Sequence, residues 1–198
     1  MKLICHPISP YARKAMILAR VHGIKIEEIS PTASGPRGYN ADQNPLGKIP
    51  ALEWQPQQYL FDSRVICEYL DSRAERPILA SDPHLHFLQK WQHALGDGLS
   101  DAVYNFRQEI ARPENLHWDK MIKRHDAAIG SAIDTLETIC EWLGEPWTFG
   151  NLAIVCALDY TGFRAGHLGW QERAPKLAAW HAGFRDDPAH RATYEYPE

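Results

Sequence analysis

A serine stands at position 9 of a run, "ICHPISPYARKAM", whose core reads Ser-Pro-Tyr-Ala. A Cys-Pro-Tyr-Cys redox motif would carry thiols at both ends of that tetrapeptide, and here both are missing. Ser9 ahead of Pro10 is also a helix-start signature: a hydroxyl at the N-cap, and a proline where no N–H is needed. A second run, "NPLGKIPAL" over residues 44–52, sets Pro50 at the start of an apolar stretch. A proline cannot donate to a strand ladder, so it belongs at an edge or at a strand's first residue. A cis Ile49–Pro50 bond there would turn the Ile49 N–H and C=O outward to pair with an extended, peptide-like ligand. An ordinary trans proline at a strand start satisfies the same local sequence. The third run is "LFDSRVICEYLD", residues 60–71. Asp62 and Ser63 open a helix, where backbone N–H groups favour an anion and the carboxylate can accept from an ammonium group. A ligand with both an α-amino and an α-carboxylate group would use both, although the pair also serves as plain helix caps.

The elements that must position these residues change character near residue 75. Lys2–Cys5 reads as a strand, Pro10–Val21 as a helix ended by Gly23, and Lys25–Ile29 as a second strand. Ser30–Gly47 is rich in turn formers, and two apolar runs, Ile49–Trp54 and Gln58–Phe61, flank a "QPQ" turn. A helix follows over Ser63–Arg73. The order βαβ then ββα predicts a small α/β domain of the thioredoxin type over residues 1–75. Residues 76–83 read as a linker, and 84–198 as an all-helical domain. Within it, Trp118, Ile122, His125, Ile129, Ile133, Leu136, Cys140 and Leu143 step by threes and fours along one long helix ended by Gly144. Further helices are expected over Thr148–Tyr160 and around Leu177, Trp180 and Phe184.

Composition narrows the function classes. The chain has 198 residues, 44% of them apolar, and a net charge of −4 with no basic stripe, which argues against broad nucleic-acid binding. Cys5, Cys67, Cys140 and Cys156 have neither CxxC nor metal-ligand spacing and suit reduced thiols in a cytoplasm. The start of the chain carries no apolar signal core, and the longest apolar run, Leu152–Leu158, is too short to cross a membrane. His84, His86 and His93 lack a completing cysteine or carboxylate, so they read as surface and interface residues rather than a metal cluster. Trp91, Trp118, Trp142 and Trp180 sit at helical spacing and read as core. Tyr11, Tyr104 and Phe106 are candidates for lining an apolar pocket.

"SPYARK", "NPLGKIPAL" and "DSRVICEYLD" occur at the spacing of cytosolic glutathione S-transferases, and the resemblance extends through the helical half. "ALGDGLSDAVYNFRQEIARPE" resembles the first long helix of bacterial members, "FGNLAIVCALDY" their buried sixth helix, and "APKLAAWHAGFRDDPAHRATYEY" their C-terminal helices. The resemblance implies a cytoplasmic homodimer with active sites at the domain cleft, glutathione as co-substrate rather than any resident cofactor, and a small electrophile as second substrate. It implies that Ile49 pairs through its backbone with the cysteinyl unit, that Asp62 and Ser63 hold the γ-glutamyl end, and that Lys48 approaches a glutathione carboxylate.

Ser9 falls where several classes of the family keep a serine or cysteine, and its hydroxyl would donate to the ligand's own thiolate. Lowering a thiol pKa from about 8.5 by about two units requires about 2.7 kcal/mol of preference for the thiolate. A hydrogen bond to a charged group supplies about 1.5–3 kcal/mol and a helix N-terminus about 0.3–1 kcal/mol. The motif's missing thiols then make sense, because the nucleophilic sulfur arrives with the substrate. Two alternatives stay open: a glutathione-dependent thiol–disulfide oxidoreductase using Cys5 beside His6, and a non-catalytic binding protein of the same fold. One departure is Thr148-Phe149-Gly150-Asn151, where the family's capping box ends in Asp; the uncharged Asn gains less from the helix dipole.

Overall fold

A computed structural model describes residues 1–144 and 146–196. They fall into two compact units, Met1–Ala80 with Pro188–Tyr196, and Ser81–Asp187.

The first unit holds strands β1 (Lys2–Ile4), β2 (Glu27–Ile29), β3 (Ala51–Gln55) and β4 (Gln58–Leu60), with helices α1 (Pro10–Val21) and α2 (Ser63–Ser72). The sheet order is β2-β1-β3-β4, with β1 parallel to β2 and the other two pairings antiparallel. This is a thioredoxin-like mixed sheet, with α1 packed on α2. Its core joins Leu3 and Leu52 to Ile17 and Leu18 of α1 and to Ile66 and Leu70 of α2, all sealed from solvent. Asp71, at the end of α2, accepts from the N–H groups of Ile78 and Leu79 and pairs with His22 at 2.8 Å. The start of the predicted linker is thus tied down rather than free.

The second unit is helical: α3 (Pro83–Ile110), α4 (Asp119–Thr138), α5 (Phe149–Ala165), the short α6 (Trp170–Arg173) and α7 (Pro175–Ala182). Asp82 caps α3 through the Leu85 N–H, and Pro83 takes the first helical position. α5 is apolar on every side from Leu152 to Leu158, and all of that stretch is buried. Asn151 forms the reciprocal capping box with Thr148 at 2.8 and 3.1 Å. Its amide also donates to the carbonyls of Gly144 at 3.1 Å and Pro146 at 2.9 Å. A carboxylate has no proton to offer these acceptors, so the departure at this position is matched by local acceptors.

Several expectations are corrected. The predicted 115–143 helix ends at Thr138, and Cys140–Trp142 forms a separate tight turn before Gly144 at φ +70. Trp91 on an outer face of α3, Trp118 just ahead of α4 and Trp142 in that turn are exposed; Trp147 and Trp170 are the buried ones. His93 is not at the surface: it stacks on Phe149 at 4.7 Å and bonds the Phe149 carbonyl through Nδ1 at 2.8 Å. The C-terminal stretch, assigned to the helical domain from sequence, groups with the first unit through α8 (Pro188–Arg191), which packs on α1. The reason is Arg13, fully buried, whose Nε donates to the Thr193 carbonyl at 3.1 Å. Its guanidinium lies over the rings of Tyr194 and Tyr196 at 5.3 and 5.2 Å. The expected helical span runs on to 198, and residues 145, 197 and 198 lie outside the described residues.

Candidate functional site

The strand register fixes where the three motifs end up. Ile4 of β1 faces Ala51 of β3, and Leu52 faces Leu60 of β4. The chain leaves β1 toward Ser9 at that same end, enters β3 there through Ile49–Pro50, and leaves β4 there toward Asp62. Three segments separated in sequence therefore converge at one end of three adjacent strands. With strands about 4.8 Å apart, the outer two of the three lie about 10 Å from each other.

Ser9 caps α1. Its Oγ accepts from the Ala12 N–H at 3.3 Å, and its C=O accepts from the Arg13 N–H at 2.9 Å. A hydroxyl has two lone pairs and one proton, so accepting the cap bond leaves the O–H free to donate elsewhere. The two readings of Ser9, cap and donor, are thus compatible in a single geometry.

The Ile49–Pro50 peptide bond is cis, and so is Phe61–Asp62, which the sequence reading did not anticipate. Among the described residues, neither the N–H nor the C=O of Ile49 takes a hydrogen bond. Lys48 is exposed, and its backbone C=O accepts from the Asn44 side-chain amide at 2.8 Å. Asn44 was missed from sequence, yet it organises this loop. It is buried, its Oδ1 accepts from the Leu46 N–H at 3.0 Å, and its C=O accepts from the Gly47 N–H at 2.8 Å. The signal was present in the motif's own first residue, since an Asn before Pro is a turn former that bonds its own backbone. Gly47, at φ +62, touches the neighbouring strip so closely that a Cβ would clash with the Arg37 carbonyl oxygen.

Asp62 caps α2, accepting from the Arg64 N–H at 3.0 Å, and is exposed. Ser63 is buried, yet its hydroxyl takes no hydrogen bond among the described residues and is not sealed from solvent. A carboxylate, a free hydroxyl and a helix N-terminus thus stand side by side.

Cys5 differs in kind. It is buried, continues the ladder through its N–H to the Ile29 carbonyl at 3.0 Å, and has its thiol pushed up to about 12, first by burial and then by the charge of Glu28. A nucleophilic cysteine needs the opposite environment. The other three cysteines are likewise buried.

Against known proteins, residues 3–78 match the family profile described as "Glutathione S-transferase, N-terminal domain". An Escherichia coli K12 protein described as "Uncharacterized GST-like protein YibF" is 32% identical over 89% of this chain and 90% of its own. This chain belongs to the glutathione S-transferase family. Solved glutathione S-transferase structures agree. A Pseudomonas fluorescens Pf-5 family member with bound glutathione superposes with a TM-score of 0.92 at 33% identity, covering 100% of this chain and 99% of its own. A Methylobacillus flagellatus glutathione S-transferase with glutathione bound gives 0.90 at 30% identity, over 97% and 98%. Among the described residues, no helix is long and apolar enough to cross a membrane.

Proposed function

We propose that this protein is a glutathione transferase that joins the glutathione sulfur to a small, soft electrophile. In this reading the Ser9 hydroxyl donates a hydrogen bond to the thiolate, Ile49 pairs through its backbone with the cysteinyl unit, Asp62 and Ser63 hold the γ-glutamyl end, and Lys48 approaches a carboxylate. Glutathione gives up its thiol proton to solvent, its sulfur forms a bond to the electrophilic carbon, and the leaving group departs with the electron pair of the broken bond. Glutathione is a co-substrate here, and no resident cofactor takes part.

The observation that carries this reading is Ser9, whose capping bond to Ala12 leaves its O–H available beside an unpaired Ile49 backbone. A tripeptide extends about 10 Å, which matches the span between the outer strand ends. The glutathione bound in similar structures supports the ligand. The buried, proton-retaining thiol of Cys5 speaks against the oxidoreductase reading. A cytoplasmic homodimer is part of the proposal, and exposed Phe87 and Trp91, one turn apart on α3, support a partner surface.

The test is a calorimetric titration of glutathione near neutral pH in two buffers of different ionisation enthalpy, with the wild type and Asp62→Ala. Binding with proton release, weakened at least tenfold in the variant, is the expected outcome. Binding without proton release would remove the thiolate step, and absence of binding would remove the enzyme reading.

A further inference from the structure

α3 and α5 run parallel within the helical unit, and their register can be read from two close approaches. A Cβ on Gly150 would meet Gln92, and one on Gly96 would meet the Ala153 backbone at 2.6 Å. Followed about three turns further, the same register sets Tyr104 and Arg107 of α3 beside Tyr160 and Arg164 of α5. The helices are still in contact there, since Phe106 stacks with His167 at 5.9 Å. Two guanidinium groups and two phenols therefore share one patch.

Neither Arg107 nor Arg164 pairs with a carboxylate among the described residues, and the Arg164 Nε is sealed from solvent without a hydrogen-bond partner. Of the nearby acids, Glu109 is engaged by Arg112 at 3.3 Å and the Trp118 N–H at 2.8 Å and Asp159 by His181 at 2.9 Å, while Asp101, one turn before Tyr104, is exposed. The Arg164 guanidinium lies 4.2 Å from the Phe163 ring centroid and 6.0 Å from that of Tyr160. Tyr160 is buried, and burial pushes its phenol up against the opposing pull of the Arg164 guanidinium; Tyr104 is exposed and accepts from Gln108 at 3.0 Å. A half-buried cation with an unmet donor is a costly arrangement unless an anion completes it, and planar guanidinium groups suit the two oxygens of a carboxylate.

We propose that this patch binds the carboxylate of a small aromatic acid, gripped by Arg107 and Arg164, with the exposed ring of Tyr104 against the ligand's body. Naming that acid as the electrophilic second substrate rests on the transferase reading above; the binding site itself does not.

The experiment uses the full chain without glutathione and titrates 4-methyl-3-nitrobenzoate against its neutral amide, at low and at moderate salt. The acid is expected to bind at least tenfold more tightly than the amide, with the gap narrowing in salt. Arg107→Gln and Arg164→Gln should each reduce the gap at least threefold, while Arg164→Lys recovers part of it; thermal unfolding of each variant verifies that it is folded. Equal binding of acid and amide would overturn the proposal, as would a gap that survives in the double Gln variant. Displacement of the acid by equimolar inorganic phosphate would assign the patch to free phosphate and overturn it as well. A parallel assay with 4-chloro-3-nitrobenzoate and glutathione separates the two readings. Acid-selective binding without transfer would defeat the transferase function and leave the site standing; transfer with no acid preference would do the reverse.

Discussion

Replacing Ser9 with Ala separates the cap that its hydroxyl makes from the thiolate contact proposed for it. The capping bond to the Ala12 N–H is long, at 3.3 Å, so its loss belongs at the low end of the cap range, about 0.5–1 kcal/mol of stability. The proposed bond from the hydroxyl to a bound thiolate would be charge-assisted and worth about 1.5–3 kcal/mol. At about 1.4 kcal/mol per pKa unit, its loss raises the bound thiol's pKa by about one to two units. The sign follows from which form is stabilised: the hydroxyl favours the thiolate, so removing it moves the titration to higher pH. In the glutathione complex, thiolate absorbance followed against pH reads that shift directly. The pH profile of kcat/KM reads it in turnover, with an expected fall of about tenfold to hundredfold near neutrality. Ser9→Thr keeps an oxygen and a proton at the same place and should stay near wild type. A Ser9→Ala protein that loses stability but titrates its bound thiol at the wild-type pH would refute the reasoning and leave Ser9 as a cap alone.

Three further outcomes are expected. Cys5→Ser should retain transferase turnover, and native Cys5, with its thiol held up to about 12, should resist iodoacetamide at pH 8 until the chain unfolds; mass spectrometry of the alkylated peptide decides this. Gly47→Ala should lower stability by about 2–4 kcal/mol in denaturant unfolding and weaken glutathione binding, because its Cβ meets the Arg37 carbonyl and its φ is left-handed; a wild-type unfolding midpoint would contradict this. Asn151→Asp should also destabilise, by about 2–4 kcal/mol, since a sealed carboxylate would replace the donor to Gly144 and Pro146; a change below about 0.5 kcal/mol would show that the amide's bonds contribute little.

The sequence alone determined the elements and the candidate residues. Local chemistry suffices for that: Ser9-Pro10, Asp62-Ser63 and Thr148 through Asn151 are cap signatures whose meaning lies within one turn of helix, and all three sit at helix starts. The βαβ then ββα order was legible because apolar periodicity and turn residues are short-range signals. The long-range questions needed the tertiary structure. The destination of Arg13 could not be read from its own neighbourhood, because its partner Thr193 lies 180 residues away, and only folding shows that the last residues belong with the first. The exposure of Trp91, Trp118 and Trp142 and the burial of His93 were misjudged for a related reason: helical spacing says which residues share a face, while packing decides which face is covered. Of the Arg107–Arg164 patch, the sequence reading had singled out only Tyr104 and its neighbour Phe106, as candidates for lining an apolar pocket, and neither arginine. The patch exists because two helices lie in parallel register, and register is set by the close approach of Gly96 and Gly150 to the facing helix.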